Sequence, residues 1–238
     1  MLKKLVIGLA TVGTMKAVAV GAYLLLVGPW QRRWGATDEE VQRAMPGDEE
    51  VEHSLMNATR AVTINARPEE IWPWLVQIGT GKAGWYSYDW IENLMGPNVS
   101  SIDRILPEFQ QLEVGNTIPL ASGLEIPVKV LKPNETLLLV GHDPVVGDAS
   151  WVLGLYPIDE QQTRLVTRTR NRWPMTPGGI LSLLFTEPGS FLMVRKMLLG
   201  IKRRAEQTSG QPSRQVEEMA RQNSCQDKSV TLNPPVQG

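Results

Sequence analysis

The chain has 238 residues, of which 42% are apolar, and a formal net charge of -1. This length and apolar content are enough for one substantial hydrophobic core. The balanced charge provides no large basic surface for nucleic acid. The single cysteine, Cys225, excludes an intrachain disulfide framework, and with only two histidines a Cys/His metal centre is not expected. We therefore expect no metal, no cofactor and no nucleic-acid partner.

The N-terminus carries an apolar run, Leu5–Val27, that one charged residue, Lys16, interrupts. A transmembrane helix needs about 20 mostly apolar residues. Each Leu, Ile or Val contributes about -0.3 to -0.6 kcal/mol to insertion, which can outweigh the roughly 2.5 to 3.5 kcal/mol cost of one lysine. We predict that residues 1–34 form an uncleaved single-pass anchor, with residues 5–30 in the membrane and its orientation left open. A cleaved signal peptide and a soluble amphipathic helix are the alternatives.

Residues 35–57 are predicted to form a short helix and an acidic linker. Thr37 is a preferred N-cap residue, and Glu40 three positions later completes a capping box. The segment Met45-Pro46-Gly47 should end the helix, and a cluster of acidic residues follows it.

The periodicity of residues 58–207 predicts one α+β domain. Thr59–Asn65 alternates polar and apolar residues as a half-buried strand does, and a helix with an apolar face should begin after Pro68. Turn-forming residues separate the later strands, which indicates an antiparallel meander. These predicted strands are Thr117–Leu120, Glu125–Leu131, Thr136–Val140, Ser150–Tyr156 and Thr163–Trp173.

An apolar helix from about Ser190 to Glu206 should pack against this sheet. Residues 208–238 are rich in polar side chains and poor in aromatic ones, so we predict a disordered tail.

An aromatic stretch, Glu69–Met95, contains four of the eight tryptophans and two of the four tyrosines. Trp and Tyr bury a large area and keep a polar group, which is typical of the wall or lid of an apolar cavity. Arginines at even positions of the last strand usually form a solvated face, but inward-facing ones would suit a carboxylate or phosphate. The candidate ligand-binding residues are Trp85, Tyr86, Tyr88, Asp89, Trp90, Trp151 and Arg168.

The candidates for acid/base chemistry are weaker. Asp89 and Glu92 lie one helical turn apart and could act as general acid and base, but a helix cap and a contact to arginine are the simpler interpretation. His142 lies in a predicted loop. The segment Gly79–Gly84 matches a dinucleotide-loop pattern but follows a helix rather than a strand, so we interpret it as a helix stop and a mobile loop.

The order of elements resembles the helix-grip or SRPBCC superfamily, which includes START lipid-transfer domains, polyketide cyclases and plant pollen-allergen proteins. The likeness is clearest in Thr59–Trp72, which resembles the superfamily's opening strand and first helix. Trp34–Val41, Gly84–Asn93 and Arg195–Glu206 resemble bacterial members with an N-terminal membrane helix. The resemblance covers about residues 30–206. It implies a curved antiparallel sheet around a long C-terminal helix, an apolar cavity and a bacterial cell membrane location, and it transfers no catalytic residues.

Three functions are compatible with these patterns. The first is a membrane-anchored domain that binds an apolar small molecule, such as a lipid, a quinone or a polyketide-like compound, between the sheet and the C-terminal helix. The second is a cyclase or hydrolase-type enzyme that uses Asp89, Glu92 or His142. The third is a non-catalytic membrane-associated interaction protein. We expect binding rather than catalysis.

Overall fold

The computed structural model describes residues 23–95, 100–121, 123–143, 147–172 and 187–209. Within these ranges, no helix is both long enough and apolar enough to cross a membrane. Most of the predicted anchor and the whole predicted tail beyond residue 209 lie outside the described residues. Both therefore stay predictions.

The helices of the described ranges are short, except for the last one. A single π-helical turn, Tyr23–Val27, precedes α1. The α-helices are α1 (Gly28–Arg32), α2 (Asp38–Gln42), α3 (Pro68–Val76), α4 (Asp89–Met95) and α5 (residues 187–209). The capping box predicted at Thr37 and Glu40 is present at the start of α2.

The strands form one antiparallel sheet of six members, in the order β1-β6-β5-β4-β3-β2. Their pairing confirms the predicted antiparallel meander and the α+β class. The strands are β1 (Met56–Ile64), β2 (Thr117–Ala121), β3 (Leu124–Lys132), β4 (Thr136–Asp143), β5 (Gly147–Pro157) and β6 (Thr163–Arg172).

One face of this sheet packs against α3 and α5, and we call it the helix face. Alternate residues of the strands, such as Ile64, Leu153 and Leu165, share a buried cluster with Trp74 of α3 and Ile201 of α5. The predicted packing of an apolar C-terminal helix on the sheet is thus confirmed. The described part of the helix, residues 187–209, includes the predicted Ser190–Glu206.

The opposite face is covered by residues 35–51, which we call the N-terminal strap. Met45 of the strap packs with Ala61, Leu138 and Val166 in a second, smaller apolar cluster. The segment predicted to be a short helix and the beginning of a linker therefore lies on the sheet.

Two glycines let the strap approach the sheet closely. A Cβ atom on Gly35 would lie 2.2 Å from the carbonyl oxygen of Ala61, and one on Gly47 would lie 2.5 Å from Cδ1 of Leu138. Both glycines also have positive φ angles, +72° and +93°, which side-chain-bearing residues rarely adopt. Only glycine fits both requirements at these positions.

Three of the four even-numbered arginines of β6, Arg164, Arg168 and Arg170, bind the strap, whereas Arg172 is half exposed and pairs with Asp148 of β5. Arg164 pairs with Glu40 at 2.7 Å, and Arg168 pairs with Asp48 at 2.6 Å. Arg168 is only 3% exposed. Its guanidinium also donates to Thr59 Oγ1 and to the carbonyl oxygens of three strap residues, Glu40, Val41 and Arg43.

Candidate functional site

Two of the predicted ligand-binding tryptophans stack on each other at the helix face. The rings of Trp85 and Trp151 lie 5.6 Å apart with an interplanar angle of 20°. Each indole nitrogen has a partner: Trp85 Nε1 donates to Thr80 Oγ1 at 3.3 Å, and Trp151 Nε1 donates to Thr167 Oγ1 at 2.8 Å. Trp85 is buried, whereas Trp151 is only half-buried. The pair thus forms an aromatic surface, and one of its members reaches solvent.

The glycine segment predicted as a mobile loop is closed by backbone hydrogen bonds. Gly79 and Gly84 donate to each other's carbonyl oxygens at 3.2 Å. Their φ angles of +133° and +77° lie in the range that favours glycine. The turn reverses the chain after α3 and brings Trp85 back over the sheet. The glycines therefore position an aromatic residue, which is a role different from phosphate binding.

Tyr86 is a buried wedge between α3 and α5. Its ring lies 6.0 Å from that of Trp74 in an edge-on arrangement, and the guanidinium of Arg204 lies 4.3 Å from its centre on one face. Its hydroxyl accepts a hydrogen bond from Gln77 Nε2 at 2.7 Å. Burial raises the pKa of Tyr86 to about 12, so the hydroxyl stays neutral near pH 7.

Tyr86 and Asp89, two of the predicted ligand-binding residues, line a polar pocket of about 440 Å³ beside α5. Asp89 accepts hydrogen bonds from the backbone N–H of Ser101 at 3.0 Å and from its hydroxyl at 2.6 Å. Asp103 pairs with Arg204 at 2.6 Å. These carboxylates are already engaged by neighbours, so the pocket contains paired charges and no free acid/base couple among these groups.

The remaining candidates do not gather at one place. Trp90 is 66% exposed on α4, and the Tyr88 ring lies 5.6 Å from Lys196 Nζ. His142 is exposed near the end of β4, where its Nδ1 lies 3.0 Å from Asp148 Oδ1. The side chain of Glu92 lies outside the described residues.

Arg168 lies on the strap face, with the sheet between it and the tryptophan pair. Its partners there are supplied by the strap and by β1. The structure therefore brings Trp85, Tyr86 and Trp151 to the helix face and places Arg168 elsewhere. A ligand-binding role for these residues stays a prediction.

The sequence analysis missed Arg60, which is fully buried on the helix-face side of β1. Its Nε donates to the carbonyl oxygen of Gln31 at 2.9 Å, but Nη1 and Nη2 have no hydrogen-bond partner among the described residues. Burial lowers the pKa of Arg60 to about 10, which still leaves it protonated at neutral pH. The alternation along β1 could have indicated this position, because Arg60 shares one face of the strand with the apolar residues Ala58, Val62 and Ile64.

The described residues contain no group of three or more His, Cys, Asp or Glu side chains that could hold a metal ion.

Comparison with known proteins gives only distant structural similarity. No family model matches the chain, and no curated protein is significantly similar to it. A protein from Mesorhizobium loti is 16% identical with a TM-score of 0.39, over 64% of this chain and 98% of its own. A conserved protein from Geobacillus kaustophilus is 16% identical with a TM-score of 0.36, over 64% and 97%. The di-domain ARO/CYC protein StfQ from the steffimycin biosynthetic pathway is 12% identical with a TM-score of 0.40, over 69% and 55%.

Similarities of this size identify neither a family nor an activity for this chain. The protein is described by its own structure as an α+β domain whose sheet is covered by a strap on one face and by two helices on the other. Its function has to be argued from the residues of those two faces.

Proposed function

We propose that this chain is a membrane-anchored protein of the helix-grip type that binds an apolar small molecule between the helix face and α5. A lipid, a quinone or a polyketide-like compound has the required character. The protein binds this molecule without transforming it. The observation that carries the proposal is the uneven burial of the helix face.

The two ends of the helix face differ in burial. Leu153, Leu155 and Leu165 are at most 3% exposed at one end. At the other end, Trp151 and its neighbours on the same face are only half-buried; these neighbours are Ala149, Thr169 and Asn171. A large aromatic side chain that stays partly open to solvent on an otherwise apolar face supports a ligand site, because an apolar ligand would remove that surface from water.

Exposed apolar side chains near α1 support a location at the membrane. Leu25 and Leu26 are more than 70% exposed, Trp30 is 54% exposed and Leu192 of α5 is 48% exposed. The ring of Trp30 lies 5.4 Å from that of Phe191, so α1 and the start of α5 are in contact. This cluster continues the apolar N-terminal run, which favours a bilayer next to it.

The enzymatic alternative has less support. It requires at least two of Asp89, Glu92 and His142 in one cavity, but Asp89 bonds to Ser101 in the polar pocket and His142 pairs with Asp148 at the end of β4. The third possibility, a protein that only contacts other membrane components, predicts an empty helix face after purification.

Native mass spectrometry of the full chain extracted in a mild detergent tests the proposal. We expect a co-purifying lipophilic molecule in the wild type and a much lower occupancy in Trp151→Ala. Ile158→Ala removes an apolar side chain that is 55% exposed beyond the end of β5, and it should keep the molecule. A wild-type protein that is repeatedly empty, and that takes up no added lipid or quinone, would contradict the proposal.

A further inference from the structure

Arg60 is a buried cation whose charge the described residues leave unbalanced. Among the described residues, the carboxylate with a clear electrostatic influence on it is that of Glu187 in α5. Glu187 is itself 4% exposed and pairs with Arg32 of α1 at 3.0 Å. Two arginines therefore face one carboxylate, and the junction of α1, β1 and α5 carries one excess positive charge.

The terminal nitrogens of Arg60 are also unsatisfied as hydrogen-bond donors. Its guanidinium lies 5.7 Å from the centre of the Phe191 ring, and in the described part of the chain only its Nε has a hydrogen-bond partner. A buried charged donor without a partner is costly, because it has lost its water and gained nothing in exchange. Such groups persist in folded proteins where another component supplies the missing acceptor.

Arg60 belongs to the same sheet face as the tryptophan pair. It lies directly opposite Thr167 in the β1–β6 register, and the hydroxyl of Thr167 accepts the hydrogen bond of Trp151. Neighbouring strands are about 4.8 Å apart, so two strand spacings separate Arg60 from Leu153 on β5. Trp151 lies two residues further along β5, which places its Cα atom roughly 12 Å from that of Arg60. One amphiphilic molecule can reach both residues.

We propose that Arg60 binds the oxyanion of an amphiphilic ligand, a carboxylate or a phosphate, while the apolar part of the ligand lies against Trp151. This inference rests on the proposed function and specifies its ligand class. The planar guanidinium offers its two free Nη groups to two oxygens of one anionic group, which is the geometry that arginine uses for carboxylates and phosphates. Neutral lipophiles of the same length bind more weakly.

The experiment is a binding competition between amphiphiles that have the same alkyl chain and differ only in their head group. Full-length protein in dodecyl maltoside receives equal concentrations of palmitate and hexadecanol, or of hexadecyl phosphate and hexadecanol, and native mass spectrometry gives the occupancy ratio. We expect wild type to favour at least one of the two anions by about tenfold or more, since charge-assisted hydrogen bonds are the strong ones. The two mixtures distinguish a carboxylate from a phosphate.

Arg60→Met should bring the favoured anion and the alcohol to nearly equal occupancy. It replaces an unpaired buried charge by an apolar side chain of similar length, a change that proteins commonly tolerate. Arg67→Met is the matched control, because this arginine has a side chain that is 61% exposed and pairs only with Glu70 at 3.5 Å. It should keep the wild-type ratio.

Glu187→Gln tests the same idea with Arg60 left in place. Removal of the competing carboxylate should raise the anion-to-alcohol ratio several-fold above that of the wild type. An unchanged ratio would show that Arg60 does not contact the head group.

The outcomes separate this inference from the function on which it rests. Equal wild-type occupancy by the anions and the alcohol overturns the role of Arg60 and leaves the ligand-binding function intact. If no amphiphile binds at all, the proposed function fails and the role of Arg60 fails with it. A ratio that Arg60→Met leaves unchanged assigns the anion to another residue.

Discussion

The two faces of the sheet treat a buried arginine in opposite ways. Arg168 on the strap face is 3% exposed and has an ion pair with Asp48 and hydrogen bonds to Thr59 and three carbonyl oxygens. Arg60 on the helix face is fully buried and, within the ranges that the structure describes, donates to one carbonyl oxygen only. On the strap face, the chain satisfies every guanidinium nitrogen of Arg168 with its own groups. On the helix face, it provides no hydrogen-bond acceptor among the described residues for Nη1 and Nη2 of Arg60. Buried polar groups without partners are typical of functional sites.

The largest effect should come from removing the satisfied arginine. Arg168→Met removes the shortest ion pair of Asp48, which keeps the N–H of Met45 and the more distant Arg170, and it leaves the strap carbonyl oxygens without this donor. Breaking a buried pair from one side costs up to about 3–5 kcal/mol. Arg60→Met should change the free energy of unfolding by about 1 kcal/mol or less, because Glu187 keeps its ion pair with Arg32 and only the carbonyl oxygen of Gln31 loses a hydrogen bond. Urea unfolding of the full chain in detergent, followed by tryptophan fluorescence, measures both.

Equal destabilisation by the two substitutions would remove the contrast between the faces. It would show that Glu187 or another group already satisfies Arg60 in the folded protein.

The sequence predicts the sheet well because its evidence is local. Alternation along Thr163–Arg172 and the turn residues between strands define the strands and their antiparallel order. The capping box at Thr37 is local in the same way. The packing of α5 follows from its apolar surface alone.

The strap and the arginine contrast depend on contacts that are distant in the chain. Arg168 and Asp48 are 120 positions apart in the sequence. No local pattern therefore predicts their contact or the burial of Arg168 that results from it. The arginines of β6 have the same alternation whether they face solvent or a strap, so periodicity cannot distinguish the two cases. The burial of Arg60 was not predicted for a related reason. The alternation of the opening strand indicates that one face is exposed, and an arginine in such a strand is expected on that face.

The next largest change in the free energy of unfolding should come from a substitution at the contact between α5 and Tyr86. A Cβ on Gly200 would lie 2.5 Å from the carbonyl oxygen of Tyr86 and 2.8 Å from its Cβ. Gly200→Ala should therefore destabilise the protein by about 1–3 kcal/mol through overpacking. Gly189→Ala on the same helix is the control, because a Cβ there meets no atom within 4 Å.

Gly189→Ala should stabilise the helix by up to about 1 kcal/mol, since alanine is the better helix former. If both alanines stabilise, α5 can move away from Tyr86, and the helix face is looser than the structure indicates.

A smaller loss is expected from Tyr86→Phe. This change removes the acceptor of Gln77 Nε2, which keeps a second bond to the carbonyl oxygen of Arg104 at 3.1 Å. The cost should be about 1 kcal/mol, the usual value for one neutral hydrogen bond. Tyr88→Phe changes a half-buried ring and should have an effect within about 0.5 kcal/mol. A larger effect at Tyr88 would place that hydroxyl, and not that of Tyr86, in the network that supports the site.

The smallest effect is a pH dependence confined to the strap face. Burial alone would raise the pKa of Glu40, but the hydrogen bonds from Arg164 and from the backbone of Thr37 outweigh it, and the pKa lies below the ordinary value of 4.5. A carboxyl whose pKa is lowered by folding stabilises the protein above its unfolded pKa, and this contribution is lost as the pH falls through the folded value. Glu40→Gln should thus be about 1 kcal/mol less stable than wild type at pH 7.

This difference should shrink as the pH falls below about 4.5, because wild-type Glu40 then becomes protonated as well. Paired urea curves of wild type and Glu40→Gln at several pH values measure the gap, and Glu39→Gln, at an exposed neighbouring position, should show none. A gap that persists unchanged well below that pH would mean that the charge of Glu40 contributes nothing to the attachment of the strap. In that case the contrast between the two faces would rest on Arg168 alone, since it would be the only charged contact of the two shown to hold the strap in place.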